Sequence, residues 1–385
     1  MMKRGAHRRV QSGHPWVFSN EVEMDATTKA LPAGSIVTVT DAGGTGLGTA
    51  YFNPRTLIAA RMLSPTMDTA IDAAFIAARL RTALVLRERL YDKPFYRLVH
   101  AEADGLPGLI VDRFGDVCVV QPNTAGMEAL AEPISAALQE VVGVKAIILR
   151  GESAARKLEG LPDEVRVLFG KTDDELALEE NGATFFANVS SGQKTGWFFD
   201  QRDNHAFVAS LSKGRSVLDL YTHTGGFGIA AARAGASQVT LVDSSAPSLE
   251  LATKAAKANS VAERCTTTRA DVFEFMEQNK AHFDVVVADP PAFVKSRKDM
   301  KAGLQGYRKL ARLCARATNP GGFLFIASCS HNAPLEEFTA AVARGIADAN
   351  RTAKIIRTSG VAADHPVHPL LPESSYLKAL TLALD

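Results

Sequence analysis

Val217-Leu218-Asp219-Leu220-Tyr221-Thr222-His223-Thr224-Gly225-Gly226-Phe227-Gly228 is an apolar strand running into a glycine-rich turn that opens a helix. Glycine lets backbone amides approach a ligand closely, and a helix N-terminus favours a carboxylate or phosphate. Alone this is a weak signal, because nicotinamide-dependent enzymes carry a similar turn. The glycine spacing is not GxGxxG, however, which counts against a dinucleotide.

Working outward, strands and helices alternate on the C-terminal side. SVLDLY, QVTLVD, FDVVVADPP and GFLFIASCS read as strands. GFGIAAARAG, APSLELATKAAKANS and QGYRKLARLCARAT read as helices. The alternation predicts an α/β domain, a mostly parallel, doubly wound Rossmann-like sheet. Asp243 ends the second strand, beside Ser244, where a carboxylate accepts both ribose hydroxyls of an adenosine. Asp271, in TTTRADVFEF, follows the third strand within reach of an adenine amino group, although a helix cap explains it equally well.

Asp289-Pro290-Pro291-Ala292-Phe293 follows the next strand. Two prolines stop the strand and stiffen a loop at its carboxyl end, where open α/β sheets bind ligands. A Pro-Pro terminator is unremarkable by itself; the strand that delivers an acid to the same mouth makes it informative. Ser328-Cys329-Ser330 places a thiol at another strand end, where it can act as a nucleophile. Isolated cysteines are usually buried filler, the reading given to Cys118, Cys265 and Cys314. Cys329 differs because its strand points at the same crevice as Asp289.

Upstream, SIVTVTD, LGTAYF and TLIAARML are short strands with turn punctuation, as in a small β-barrel. A helix over AAFIAARLRTALVLRERLY, a hairpin over RLVHAEADGLPGLIVDRFGDVCVVQP, a helix from Met127 to Val142 and a strand KAIILR make an α+β unit. The acid-rich stretch from Gly151 to Asn181 reads as exposed connection and hairpin. The expected domains are therefore 1–68, 69–187 and 188–385.

The 385 residues carry 43 basic and 42 acidic side chains, a formal net charge of +1, so only local charge can speak for a polyanionic partner. The four cysteines form no CxxC pair, which argues against zinc or a disulfide framework and for a reduced, cytoplasmic compartment. No signal-peptide core and no stretch near the ~20 apolar residues of a membrane span is present, so no membrane partner is expected. His365 and His368, in DHPVHP, lack partner cysteines or clustered acids; they read as a proline-bounded turn, and no metal is expected.

VLDLYTHTGGFG, LVDSS, ADVFEF, DPPAFVKSRKD and SCSH, in that order, resemble class I S-adenosylmethionine methyltransferases. More closely they resemble the bacterial 23S ribosomal RNA cytosine-5 methyltransferases with an N-terminal PUA domain. HPWVFSNEV, GQKTGWFFDQRDN and ADHP…PE..YLK extend the resemblance over nearly the full chain. It implies a PUA domain, a central α+β domain and a methyltransferase domain, with S-adenosylmethionine as cofactor and 23S ribosomal RNA as partner. Asp219, Tyr221, Thr222, Gly225, Gly226, Phe227, Asp243, Ser244, Asp271 and Asp289 are its expected cofactor contacts. Phe198, Gln201 and Arg202 would lie over the cofactor.

Cytosine C5 is a poor nucleophile. A thiolate adding at C6 makes an enamine whose C5 attacks a methyl group; loss of the C5 proton and elimination of the thiol restore the ring. Cys329 is the expected nucleophile, and Asp289 would hydrogen-bond the cytosine edge. Some related RNA cytosine enzymes carry a second cysteine where this chain has Pro291, so the base that removes the C5 proton is unassigned.

The run from Lys295 to Arg316 (Lys295, Arg297, Lys298, Lys301, Arg308, Lys309, Arg312, Arg316) holds one acid, Asp299, and follows the Asp-Pro-Pro loop. With Pro290, Pro291 and Phe293, its first members Lys295, Arg297 and Lys298 are expected substrate contacts. Lys3, Arg4, Arg8 and Arg9 form a second basic patch; Trp16, Phe18 and Tyr51 read as core. Three alternatives stay open: a ribosomal RNA guanine N-methyltransferase, a non-catalytic RNA-binding assembly factor on the same fold, and, disfavoured by the glycine spacing, a nicotinamide-dependent oxidoreductase. The oligomeric state, a homodimer included, is not legible.

Overall fold

Runs of valine, isoleucine and leucine with no polar alternation suit strands buried on both faces. In the computed structural model, which describes residues 1–190, 192 and 195–385, such runs build the centre of a seven-stranded sheet whose two edge strands are more polar and exposed. Its strands are β1 Ser216–Leu220, β2 Gln238–Asp243, β3 Cys265–Arg269, β4 Phe283–Ala288, β5 Thr318–Ser328, β6 Ala353–Ser359 and β7 Lys378–Leu384. The spatial order is β3-β2-β1-β4-β5-β7-β6. β1 to β5 are parallel, and β7 inserts antiparallel between β5 and β6. The chain reverses direction across the sheet at β1 and β4, which opens a crevice outside their carboxyl ends.

Both faces are covered by helices, among them Gly226–Arg233, Ala246–Ala258, Met300–Ala317 and Leu335–Asp348. Leu218, Leu220, Val286, Ala288, Leu324 and Ile326 form one continuous core with Tyr307, Leu310, Phe338 and Val342 of the last two helices. The fold is thus the α/β, Rossmann-like architecture that the alternation of elements predicts.

The chain makes two compact units, and each borrows segments from the other's stretch of sequence. The unit holding the seven-stranded sheet comprises 177–187, 198–362 and 373–385; the other comprises 1–176, 188–197 and 363–372. In the latter, Trp16–Phe18, Ile58–Ser64, Gly46–Phe52 and Ser35–Thr40 lie in that order as an antiparallel sheet with its own core of Val17, Val39, Ala50 and Phe52. Tyr51 is buried, and its hydroxyl donates to the Pro107 carbonyl.

A five-stranded sheet, Phe95–His100, Leu109–Phe114, Val117–Pro122, Ala146–Arg150 and Val165–Gly170, packs with the helices Ala73–Leu90 and Ala131–Val142 around Ile76, Leu80, Val111, Ile134 and Leu138. The hairpin expected over 97–122 is a three-stranded meander, because HAEAD folds as a 3-10 turn closed by Gly105 in the left-handed region. The helix expected from Met127 to Val142 breaks at Leu130 into two.

The acid-rich stretch is not uniformly solvated: Glu180 is 2% exposed and pairs with His205. The proline-bounded DHP turn is anchored in its unit. Asp364 is fully buried, accepts from the Arg97 backbone amide at 2.9 Å, and gives its carbonyl to the Arg87 guanidinium at 3.0 Å. Among the described residues no helix is long and apolar enough to cross a membrane.

Candidate active site

The crevice is lined by the residues that end β1, β2, β4 and β5. After β1 the chain turns at once: Tyr221 and His223 hold φ of 61° and 50°, and Gly225 caps the next helix at 92°. Left-handed backbone at two bulky residues is costly and persists only where the surroundings impose it. Asp243 does so here. Its Oδ2 accepts the His223 amide at 2.9 Å and its Oδ1 the Ser245 amide at 2.8 Å, while Ser244 is exposed beside it.

Asp219 lies beneath this turn, 1% exposed. Its Oδ2 accepts from the Thr222 hydroxyl at 2.5 Å and the Gly228 amide at 2.8 Å. Oδ1 is buried and has no hydrogen-bond partner among the described residues. Burial pushes its carboxyl up to about 6, against the pull of those two bonds. A buried, half-satisfied carboxylate fits a cationic ligand group, whose donor would complete the site. The glycines leave room for close approach: a Cβ on Gly226 would stand 2.6 Å from the His205 ring. That ring cannot retreat, since Glu180 Oε1 holds its Nδ1 at 2.6 Å and Phe227 packs edge-on at 4.4 Å. Gly226→Ala is therefore predicted to destabilise the protein by about 1–3 kcal/mol, the range for overpacking; a denaturant midpoint unchanged from wild type would refute it.

The segment before β1 contributes from the other side. Phe198 packs edge-on against His223 at 5.0 Å, and Arg202 is buried beside Glu180, 3.7 Å away. Gln193 and Lys194, in the same motif, lie outside the described residues. Gln201 Nε2 donates to Asp289 Oδ2 at 2.8 Å, and its own Oε1 is oriented by Asn204 at 2.7 Å. Asp289 is half-buried at the end of β4. Burial, then the neighbouring Asp200 carboxylate, push its carboxyl up to about 7; the Gln201 bond opposes both.

Cys329 follows β5, half-buried, with Sγ 4.0 Å from the Pro290 carbonyl. Its flanking serines are buried and locked by one phenol: Ser328 Oγ donates to the Tyr307 hydroxyl at 2.8 Å, and Ser330 Oγ lies 2.9 Å from the same oxygen. Ser330 Oγ also accepts the Val294 amide at 3.1 Å, which ties the Asp-Pro-Pro loop to the strand that carries the cysteine. Both serines are buried, and Cys329 between them is the more exposed residue.

The structure thus brings together Asp219, Tyr221, Thr222, Gly225, Gly226, Asp243, Phe198, Gln201, Asp289 and Cys329. Phe227 is buried against His205 and Phe325. Asp271 acts as a helix cap: its Oδ1 accepts the Phe273 and Glu274 amides. Pro290 is buried and Pro291 exposed, while Phe293 packs on Tyr307 at 4.8 Å and Phe273 at 6.0 Å. Lys295, Arg297 and Lys298 are exposed just beyond. The basic run is no single patch, because Arg308 is bound by Asp348 and Lys309 by Glu277.

Sequence reading missed three groups here. Tyr376 donates to Asp200 Oδ2 at 2.5 Å, and its ring lies 5.3 Å from that of His331. Tyr307 locks the serines. Lys378 donates to the Ser330 carbonyl at 2.7 Å. Only the family motif ending in YLK marked that segment. Among the described residues no cluster of His, Cys, Asp or Glu is arranged to hold a metal.

Comparison with known proteins agrees with this architecture. A family described as PUA-like domain matches residues 1–65, and one described as S-adenosylmethionine-dependent methyltransferase matches 130–350. A ribosomal RNA large subunit methyltransferase I from Pseudoalteromonas atlantica is 36% identical over 383 residues, 98% of this chain and 96% of that protein. A candidate SAM-dependent methyltransferase from Streptococcus mutans shares the fold over the whole of both chains, with a TM-score of 0.83 and 21% identity. SMU.776, a candidate methyltransferase solved with SAH, does so at 0.84 and 20%. The carboxylate-ended strands, the glycine turn and the S-adenosylmethionine fold therefore belong together, and the chain is a member of the S-adenosylmethionine-dependent methyltransferases, in the family of the ribosomal RNA large subunit methyltransferases I.

Proposed function

We propose that the chain methylates C5 of a cytosine in 23S ribosomal RNA through a covalent bond between Cys329 and C6. The observation that carries this reading is the placement of a thiol and a near-neutral carboxyl on adjacent strand ends, with Cys329 Sγ 4.0 Å from the carbonyl of the residue after Asp289. A nitrogen acceptor needs no covalent nucleophile, whereas C5 of cytosine does.

Asp219, Tyr221, Thr222, Gly225, Gly226, Phe227, Asp243, Ser244, Asp271, Phe198, Gln201, Arg202 and Asp289 are the proposed cofactor shell. When bound, S-adenosylmethionine supplies the electrophilic methyl group. The Cys329 thiolate attacks C6, and the C5–C6 electron pair moves to C5. Asp289, titrating near neutrality, donates a hydrogen bond to the cytosine edge and draws electrons from C6 as the thiolate approaches. After C5 takes the methyl group and loses its proton, the S–C6 bond breaks and the thiolate returns.

The PUA-like match, the names of the relatives and the exposed cations beyond the Asp-Pro-Pro loop support an RNA substrate. Pro290, Pro291 and Phe293 shape that loop; Lys295, Arg297 and Lys298 meet the phosphates. Changing these three cations together to glutamine is predicted to weaken RNA binding and to reduce the slope of log K against log salt by roughly 2. An unchanged slope in filter binding would remove them from the interface. The test of the reaction is labelled S-adenosylmethionine with unmodified 23S ribosomal RNA, followed by nucleoside analysis. Labelled 5-methylcytidine is expected; a methylated guanosine would overturn the reading.

A further inference from the structure

Cysteine is an effective nucleophile only as the thiolate, and a free thiol titrates near 8.5. A cation held against Cys329 favours that form. Lys295, Arg297 and Lys298, beyond the Asp-Pro-Pro loop, are exposed, whereas the C-terminal strand brings in a half-buried one. β7 pairs antiparallel with β5 so that Lys378 stands opposite Ser328, the residue before the cysteine. Lys378 is half-buried, and its Nζ donates at 2.7 Å to the carbonyl of Ser330, the residue after it. The ammonium is thus fixed by strand register on one side of Cys329 and by a hydrogen bond on the other. It comes from 49 positions away in the sequence.

We propose that Lys378 is the positioning cation that holds Cys329 as a thiolate. This rests on the reading of Cys329 as the nucleophile. The thiol proton leaves to solvent and Lys378 keeps its own proton throughout. The thiolate then forms the S–C6 bond and is regenerated when that bond breaks. Burial draws the Lys378 ammonium below its ordinary value while the sulfur charge holds it up, the reciprocal of the same pairing.

Other titratable groups lie around the thiol. The Tyr307 phenol, on the helix Met300–Ala317, is raised by burial and, in lesser part, by Cys329 itself, so it stays neutral. Asp289, on the end of β4, would oppose a thiolate when ionised, and its rise to about 7 limits that opposition at neutral pH. His331 follows Cys329 and packs on Tyr376, whose hydroxyl is bonded to Asp200.

The experiment is iodoacetamide alkylation of the full chain across pH 6 to 10, without cofactor or RNA, with Cys329 followed by peptide mass mapping. Cys118 and Cys314 are buried, and mapping separates half-buried Cys265. Lys378→Gln keeps a donor for the Ser330 carbonyl and removes the charge; Lys378→Met is a second neutral variant should the first fail to fold. Alkylation of Cys329 at pH 7 is expected to slow about tenfold in either, with the difference vanishing near pH 10, and Lys378→Arg is expected to restore most of the rate. In methyl transfer the neutral variants are expected to lose kcat with little change in KM. Equal alkylation profiles in wild type and a folded neutral variant would overturn the proposal, whatever the activity. Because this readout needs no substrate, it stays separate from the nucleoside analysis: a methylated guanosine product would dispose of the cytosine reading and leave the alkylation result to decide the thiolate pairing.

Discussion

Cys329→Ala is expected to lose methyl transfer to 23S ribosomal RNA by at least about 10³-fold, while cofactor binding stays within about twofold. The loss is large because alanine removes the only route proposed for making C5 nucleophilic, and such groups act as a unit with their partners. Cofactor affinity is spared because Cys329 is not among the contacts proposed for it. The wild-type protein should also be trapped covalently on RNA carrying 5-fluorocytosine, since fluorine at C5 blocks the proton loss that precedes release of the thiol; the alanine variant should not. The control is Cys314→Ala. That thiol is fully buried in the core under the sheet, and burial pushes it up to about 12, so the change should lower stability and leave the chemistry intact. Substantial turnover by Cys329→Ala would end the covalent mechanism and favour nitrogen methylation.

Asp289→Asn is expected to cut turnover about 10²-fold and yet stabilise the protein at alkaline pH. The Asp289 carboxyl is raised from an ordinary 3.8 to about 7, by burial first and then by Asp200. A raised carboxyl disfavours the folded state wherever the unfolded chain is already ionised. Below about pH 4 both states are protonated and the effect is absent; it grows as pH rises and is complete above about 7. Asparagine carries no such charge. The variant should therefore match wild type near pH 4 and exceed it by roughly 2–4 kcal/mol at pH 8, judged by denaturant unfolding at the two pH values. Equal stability of the two proteins at pH 8 would mean that Asp289 titrates as an ordinary carboxylate and cannot serve as a near-neutral donor. The expected trade, weaker catalysis for a firmer fold, is usual where a site keeps a poorly solvated charge.

The sequence by itself determined the architecture and most of the crevice. Parallel strands buried on both faces must be continuous apolar runs, so Val217–Leu220 and Val285–Ala288 are visible as strands without any partner being known. Function in such sheets gathers at the carboxyl ends, so Asp219, one residue short of its strand's end, and Asp243, Asp289 and Cys329 at theirs stand out among apolar neighbours. The same local logic misjudged residues whose state depends on distant chain. Glu180 looked like one acid among many, and only the fold buries it against His205, which in turn limits Gly226. Arg308 and Lys309 looked like parts of an open cationic face until Asp348 and Glu277 engaged them. The insertion of β7 between β5 and β6, which sets Lys378 across from Ser328, leaves no periodic trace in the sequence. Hydrophobic period and strand-end chemistry are local properties that a single chain displays. Which strand lies beside which, and therefore which charges meet, is settled by long-range pairing and burial, and those exist only once the chain has folded.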